Sequence, residues 1–173
     1  MTRGFTLLEL LITVAVLAVL AVILAWATPS FTHVSQTVQM QRLASELSGF
    51  LNQSKSEAVA RNAKLYVHFT KEKSEVADKG EWSLKLSTSA SAAGGTVLYL
   101  SGSSYSGLST YHNYNQKFIS FDPIRGRPQG GSIVFYPTSD VTKKLSIVIS
   151  NPPGRIRVCS LSGAKLYDYP TCS

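Results

Sequence analysis

The sequence predicts an α+β fold in which one long N-terminal helix packs on antiparallel β-sheet. Three observations support this prediction. Residues 5–27 are apolar except for Thr6, Glu9 and Thr13, the next thirty residues are amphipathic, and the rest consists of short strand-like runs bounded by Gly, Pro or Asn. A helix followed by consecutive strands is typical of α+β architecture. No internal repeat or linker indicates a second folded domain.

The apolar N-terminal segment is long enough to cross a bilayer, because about 20 apolar residues suffice for a membrane-spanning helix. Glu9 is its only charge. A carboxylate within such a segment is costly in lipid and indicates a function. Arg3 precedes the segment, which predicts a cytoplasmic N-terminus and a body outside the inner membrane.

The four residues before this segment, Met1 to Gly4, form a short basic leader. An ordinary secretory signal loses its apolar region, but no small-residue cleavage site follows the apolar run here. Cleavage after Gly4 would leave the apolar segment on the mature protein. The alternative is a signal-anchored periplasmic protein whose membrane helix happens to contain one Glu.

Beyond Pro29, apolar residues from Phe31 to Ala58 recur at mostly helical spacing. This pattern predicts one helix from Phe5 to about Arg61, with its second half packed against a sheet. Alternating or short apolar runs predict strands at 64–70, 82–87, 96–100, 118–121, 132–136, 145–149 and 155–158. The Gly- and Ser-rich stretch 101–117 is predicted to be a long exposed loop.

The N-terminal block G-F-T-L-L-E-L-L-I-T resembles the N-terminus of type IV pilins and type II secretion pseudopilins. The stretches SEAVARNAKLYV, FDPIRGRP and GRIRVC resemble the FimT/GspH class of minor pilins. The resemblance implies a type IV pilin-like fold, cleavage by prepilin peptidase between Gly4 and Phe5, and N-methylation of Phe5. It also implies that Glu9 neutralises the N-terminal amine of a neighbouring subunit, which favours the correct axial register.

These expectations divide the chain into a prepilin leader at 1–4, a transmembrane or filament-core half of the helix at 5–29 and a periplasmic globular domain at 30–173. The protein is expected in the bacterial inner membrane as a single-pass protein, and afterwards in a pilus on the cell surface. Its expected protein partners are prepilin peptidase and other pilin subunits.

The two cysteines, Cys159 and Cys172, both lie near the C-terminus. In the oxidising compartment outside the inner membrane, a disulfide is expected rather than a metal pair or a catalytic thiol. Such a bond would pin the tail to the domain.

Positive charge is concentrated in the C-terminal half of the chain. Residues 82–173 carry nine basic and three acidic residues, whereas residues 1–81 carry eight and seven. This asymmetry suggests an anionic partner, although a solvated basic surface that aids solubility has the same composition.

Arg155 and Arg157 in GRIRVC alternate along a predicted strand, so they share a face about 7 Å apart, comparable to the distance between neighbouring phosphates. On pattern alone, two alternating arginines also suit a solvated face. In the competence-associated minor pilins that the chain resembles, a C-terminal Gly-Arg-x-Arg motif is implicated in binding DNA during uptake. The resemblance implies this role for Arg155 and Arg157.

Five further basic residues are weaker candidates for contact with the DNA phosphate backbone: Lys143, Lys144, Lys165, Arg125 and Arg127. Binding by this set would be sequence-independent and steeply dependent on salt. The tyrosines at 105, 111 and 114 could stack on unpaired bases, but a plain loop suits their surroundings better.

No catalytic set emerges from the sequence, and neither a cofactor nor a metal is expected. His33, His68 and His112 lack metal-ligand spacing, and no G-x-S-x-G or phosphate-cradling Gly loop is present. The protein is therefore predicted not to be an enzyme.

Two functional hypotheses remain open at this point. The preferred one is a FimT-like minor type IV pilin that captures extracellular DNA for natural transformation. The alternative is a structural subunit, either a GspH-like pseudopilin of type II secretion or a minor pilin that only primes assembly. The first thirty residues suit both hypotheses, whereas the basic C-terminal half and the paired arginines favour DNA binding.

Overall fold

The computed structural model describes residues 6–152 and 154–172, without the side chains of residues 26–33. Helix α1 spans Leu7–Ala60. The strands in this part of the chain are β1 (Leu65–Phe69), β2 (Ser83–Ser87), β3 (Thr96–Ser101), β4 (Leu108–His112), β5 (Phe118–Phe121), β6 (Gly131–Pro137), β7 (Leu145–Ser150) and β8 (Arg155–Ser160). The predicted order of one helix followed by strands is confirmed.

The chain forms two compact units, with the boundary between Thr37 and Val38. In the first unit, the 19 residues Leu7–Ala25 are exposed and are long and apolar enough to cross a membrane. In the second unit, the strip of α1 that faces the core begins at Met40 and continues through Leu43, Leu47, Leu51 and Ala58. This spacing of three and four residues keeps the strip on one side of the helix.

The apolar pattern alone places the start of this strip too early. Val34 and Val38 continue the pattern toward the N-terminus, yet they are 60% and 55% exposed. The end of the helix matches the prediction. Asn62 has φ +47°, and the Ala63 N–H donates to the Ala58 carbonyl at 3.1 Å. This is a Schellman ending, in which a left-handed residue satisfies the last carbonyls of the helix.

The strands form two four-stranded antiparallel sheets, in the orders β3-β2-β1-β5 and β4-β6-β7-β8. Alternate residues of each sheet, such as Val67 on β1 and Phe135 on β6, join Leu47 of α1 in one buried cluster. The core therefore lies where α1 meets the inner faces of both sheets, as expected for a long helix packed on antiparallel sheet.

The prediction of a long exposed loop at 101–117 is wrong. This stretch contains a short 3-10 helix, Ser103–Tyr105, and strand β4, whose Thr110 pairs with Phe135 of β6. Leu108 is fully buried, and the other edge of β4 is covered where Ala77 bridges Thr110. Four of the five residues of β4 are buried, so the strand carries no apolar–polar alternation, and the surrounding Gly and Ser resemble a loop.

The C-terminal tail returns to the end of β8. Cys159 and Cys172 form the predicted disulfide, and Ser160 bridges Thr171 in parallel. Two backbone hydrogen bonds fix this return, from Ser160 N–H to the Pro170 carbonyl and from Cys172 N–H to the Ser160 carbonyl. The tail is thus attached to the domain both covalently and through the backbone.

Candidate nucleic-acid interface

Strand β8 presents its two arginines as the sequence predicts. Arg155 and Arg157 are paired with Ser150 and Val148 of β7, and Arg155 is exposed while Arg157 is half-buried. Ile156 lies on the opposite face and packs against the buried core. Because side chains alternate along a strand, the inward Ile fixes the face on which both arginines lie.

A glycine brings a second arginine loop against the start of β8. Gly154 has φ +79°, and a Cβ at this position would lie 3.1 Å from Pro128 Cδ and 3.5 Å from Arg127 Cα. Only glycine combines this backbone conformation with such close packing. The loop 122–130 therefore sits directly beside Arg155, although some thirty residues separate them along the chain.

We call the surface formed by Arg125, Arg127, Arg155 and Arg157 the arginine end. In the part of the chain that the structure describes, no ion pair engages Arg125, Arg127 or Arg155. An uncompensated guanidinium offers a planar fork of donors that matches phosphate geometry. The arginine end can therefore receive an anion without first breaking an ion pair at these three residues.

Lys64 also belongs to this region, although sequence reasoning did not select it. Leu65, the first residue of β1, pairs with Phe121, the last residue of β5. Lys64 therefore lies opposite the start of loop 122–130. Lys64 and Arg127 line the same open cleft of about 410 Å³. Only the register of β1 on β5 brings them together, so no local sequence signal indicated this contribution.

The three lysine candidates lie at the other end of β8, and we call them the lysine end: Lys143, Lys144 and Lys165. Lys143 Nζ lies 3.2 Å from Asp140 Oδ2, and Lys165 Nζ lies 3.1 Å from Asp168 Oδ1. Lys144 Nζ lies 5.3 Å from the centroid of the Tyr136 ring. Two of the three ammonium groups are thus ion-paired within the domain, and Lys144 has no carboxylate partner among the described residues.

The carboxylate of Asp140 is held in its charged form. Hydrogen bonds from the side chain and backbone N–H of Thr142, together with one from Lys143, lower the pKa of Asp140. Since an ionised Asp140 keeps Lys143 paired, its charge reduces the positive potential at this end.

The tail contacts the turn that carries Lys143 and Lys144. Leu161 N–H donates to the Lys144 carbonyl at 3.0 Å, and the Tyr167 carbonyl accepts from Gln41 Nε2 of α1 at 3.4 Å. Burial raises the pKa of the Tyr167 hydroxyl, which also lies within the electrostatic influence of Lys143 and Asp140. The tail therefore bridges α1 and the turn between β6 and β7.

The structure does not bring all seven predicted DNA-binding residues into one patch. Arg155 is opposite the last residue of β7, and Ser160 is opposite the first, Leu145, which follows Lys144. Five strand steps separate these two levels, or about 17 Å at the usual rise per residue. Two of the stacking candidates, Tyr105 and Tyr114, are buried in the core and are unavailable to bases.

The remaining predicted residues lie elsewhere. Glu9 is in the first turn of α1 and is exposed, and its backbone N–H donates to Thr6 Oγ1 at 3.3 Å. Gly4 and Phe5 lie outside the described residues. His68 and His112 are buried, and among the described residues no cluster of metal-ligating side chains occurs.

Comparison with known proteins identifies the class of this chain. A family model described as type II transport protein GspH matches residues 43–167, and the prokaryotic N-terminal methylation motif matches residues 1–25. The methylation motif implies processing by prepilin peptidase and assembly with other pilins. No curated protein matches the sequence.

Solved structures support the same fold. Two crystal forms of the type IV minor pilin FimU from Pseudomonas aeruginosa PAO1 are both 20% identical to the chain. One covers 68% of this chain and 90% of FimU at a TM-score of 0.52. The other covers 74% and 91% at a TM-score of 0.57.

The GspH model covers more than half of the chain, including most of α1 within the second unit and all eight strands described above. Together with the methylation motif, this match places the protein in the inner membrane and then in a pilus or pseudopilus. The chain belongs to the GspH family, whose members are structural, non-enzymatic minor pilins and pseudopilins of type IV pili and type II secretion.

Proposed function

We propose that this minor pilin binds extracellular DNA through the arginine end, for uptake in natural transformation. The observation that carries the proposal is the packing of Gly154 against the Arg127 loop. This packing places Arg127 beside Arg155, and no described carboxylate pairs with either guanidinium. Two neighbouring guanidinium groups without an ion pair suit the phosphates of a DNA backbone.

The chemistry of this surface favours contact with the DNA backbone rather than the reading of bases. β8 is part of a sheet, and the described residues of the turn and loop beside it form no helix that could enter a groove. Phosphate contacts position a protein on DNA without carrying sequence information. Binding is therefore sequence-independent and falls as salt rises, because each neutralised phosphate releases counterions.

The proposal also assigns each part of the chain a role in processing, membrane anchoring or filament assembly. Prepilin peptidase removes the leader at 1–4 after Gly4, and Phe5 becomes the methylated first residue. Residues 5–29 anchor the protein in the inner membrane and later form the filament core, where Glu9 pairs with the amine of a neighbouring subunit. Residues 30–173 form the globular domain that carries the arginine end to the surface.

The first test is a salt titration of DNA binding. Full-length protein in a non-ionic detergent is titrated into a fluorescent DNA duplex, and anisotropy is recorded at several salt concentrations. We expect the association constant to fall by about tenfold or more between low and physiological salt if several phosphates are contacted. Affinity that is absent, or insensitive to salt, would refute the proposal.

A double substitution locates the binding site. Arg155→Gln with Arg157→Gln removes two charges from the exposed face of β8, and we expect the affinity for DNA to fall by about thirtyfold or more. Lys73→Gln with Lys79→Gln removes the same charge from the segment between β1 and β2 and serves as the matched control. Equal losses in both variants would show that only net charge matters.

The structural alternative rests on the description of the matching family as type II transport. In that case the chain is a pseudopilin, or a minor pilin that only primes assembly, and the arginine end has no DNA to bind. Deletion of the gene separates the two functions. Loss of protein secretion with intact transformation would support the pseudopilin, whereas the reverse result supports the DNA-binding pilin.

A further inference from the structure

An open cleft with a mixed polar and apolar lining lies beside the arginine end. Its volume of about 410 Å³ falls within the range usual for small-molecule sites, about 300–1,000 Å³. The cleft is bounded by the start of β1, the end of β5, loop 122–130 and the turn that follows β7. Its polar lining residues are Lys64, Ser120, Asp122, Arg127, Gln129 and Asn151.

Two cations stand at this cleft on separate elements of the fold. Lys64 comes from the start of β1 and Arg127 from loop 122–130. Lys64 Nζ lies 5.7 Å from the centroid of the Tyr66 ring, so an aromatic face rather than a carboxylate holds this ammonium. Neither cation forms an ion pair with any described residue. Both cations line the cleft, which therefore favours an anionic group.

The rest of the lining suits a nucleobase better than it suits a second phosphate. The half-buried ring of Pro123 provides apolar surface, and the amides of Gln129 and Asn151 provide both donors and acceptors. The carboxylate of Asp122 would repel a further phosphate but accepts hydrogen bonds from amino groups. A planar group with apolar faces and a polar edge, attached to one phosphate, matches this set.

The position of the cleft joins it to the arginine end. Arg127 lines the cleft, and its Cα would lie 3.5 Å from a Cβ at Gly154, the residue before Arg155. Asn151 closes the other side of the cleft, where a Cβ at Gly130 would lie 3.4 Å from the Asn151 Cβ. A strand whose phosphates contact Arg155 can therefore reach the cleft.

From this geometry we infer that the cleft takes one nucleotide of an unpaired DNA strand, with its phosphate between Lys64 and Arg127 and its base against the ring of Pro123. The inference rests on the proposed DNA-binding function and specifies its ligand. A base within a duplex stays paired and stacked, so it cannot enter. The protein accordingly binds single-stranded DNA, or a frayed end, more tightly than blunt duplex of the same length.

The test compares a single-stranded oligonucleotide with the blunt duplex of the same length, both labelled, using full-length protein in non-ionic detergent. We expect the single strand to bind about tenfold more tightly at matched salt. Lys64→Gln with Arg127→Gln should remove most of this preference. The control Lys73→Gln with Lys79→Gln, which makes the same change in net charge, should preserve it.

A neutral variant guards against a purely electrostatic explanation. Gln129→Ala leaves the charge unchanged and truncates an exposed side chain, so the fold is retained. We expect it to weaken single-strand binding by about threefold and leave duplex binding within about 1.5-fold. Thermal unfolding of each variant in the same detergent checks that the domain is intact.

The outcomes separate this inference from the function on which it rests. If wild-type protein binds neither form of DNA, both are wrong. If Arg155→Gln with Arg157→Gln abolishes binding but the cleft variants leave the preference for single strands unchanged, only the cleft inference is wrong. Equal affinity of wild-type protein for single strand and duplex also overturns it.

Discussion

The arginine end and the lysine end occupy the two ends of the same pair of strands, yet their charges are placed in different surroundings. The lysine end has three ammonium groups, of which two are ion-paired with Asp140 and Asp168, while Lys144 lies on an aromatic ring. At the arginine end, Arg125, Arg127 and Arg155 have no such partner within the described chain. Counting basic residues therefore does not locate a phosphate site, because neighbouring carboxylates determine how much positive potential remains.

The largest expected effect is on the stability of the domain when the disulfide at the lysine end is removed. Cys159→Ser with Cys172→Ser removes the disulfide at the lysine end, and we expect the domain to lose about 3 kcal/mol of unfolding free energy on the chain-entropy model. DNA affinity at a temperature where the domain stays folded should change less than about twofold, since Arg155 lies at the other end of β8. Thermal unfolding and anisotropy measure the two effects. A fall in affinity as large as that of the arginine variants would show that the ends are coupled.

The second prediction tests the glycine that positions the arginine end. Gly154→Ala places a Cβ in a left-handed backbone and 3.1 Å from Pro128 Cδ, so we expect about 1–2 kcal/mol of destabilisation and about fivefold weaker DNA binding. Gly163→Ala is the matched control. Its φ of +75° carries a similar backbone cost, but no atom lies within 4 Å of the added Cβ. Equal losses of affinity in both variants would contradict the positioning role of Gly154.

The third prediction compares the two ends directly by an equal change of charge. Lys143→Gln with Lys144→Gln should weaken DNA binding by no more than about threefold, because Lys143 is already ion-paired with Asp140 and both lysines lie at the end of β8 opposite Arg155. The expected loss for Arg155→Gln with Arg157→Gln is about ten times larger. Anisotropy at one salt concentration gives both values. Similar losses would indicate one continuous basic surface.

The smallest expected effect is a gain. Asp140→Asn removes the charge that neutralises Lys143 while keeping an oxygen for the Thr142 hydrogen bonds, and we expect DNA affinity to rise by about twofold. Hydrogen bonds lower the pKa of Asp140, so the wild-type carboxylate loses its charge only as the pH falls below its ordinary titration range. The gain should therefore be constant between about pH 5 and pH 8. A gain that disappears at pH 5 would show that Asp140 titrates there.

Much of the fold follows from local pattern in the sequence. The end of α1, the predicted strands and the disulfide follow from helical spacing, alternation and the compartment of the protein. Strand β4 was missed because Gly and Ser around it resemble a loop, whereas its partner, β6, lies more than twenty residues away. Burial of Tyr105 and Tyr114 depends on the same tertiary packing, which overrides local composition.

The candidate site was predictable in its central residues but not in its arrangement. Alternation along β8 was enough to place Arg155 and Arg157 on one face. The contribution of Lys64 and the approach of Arg127 depend on strand register and on a loop packed against Gly154. The distance between the lysines and the arginines depends on the register of β8 on β7. These relations leave no signal within a short stretch of sequence, whereas the ion pairs of Lys143 and Lys165 join residues only three positions apart.

The return of the tail beside β8 has a mechanical consequence. A pull on Arg155 directed along the strand loads the six registered pairs between β7 and β8 in shear, so their hydrogen bonds must break together. Breaking these pairs one at a time would require the Ser160 end of β8 to separate from β7 first. There the Ser160–Thr171 bridge and the Cys159–Cys172 bond attach the strand to the domain. The position that receives tension and the position that resists detachment are thus at opposite ends of one strand.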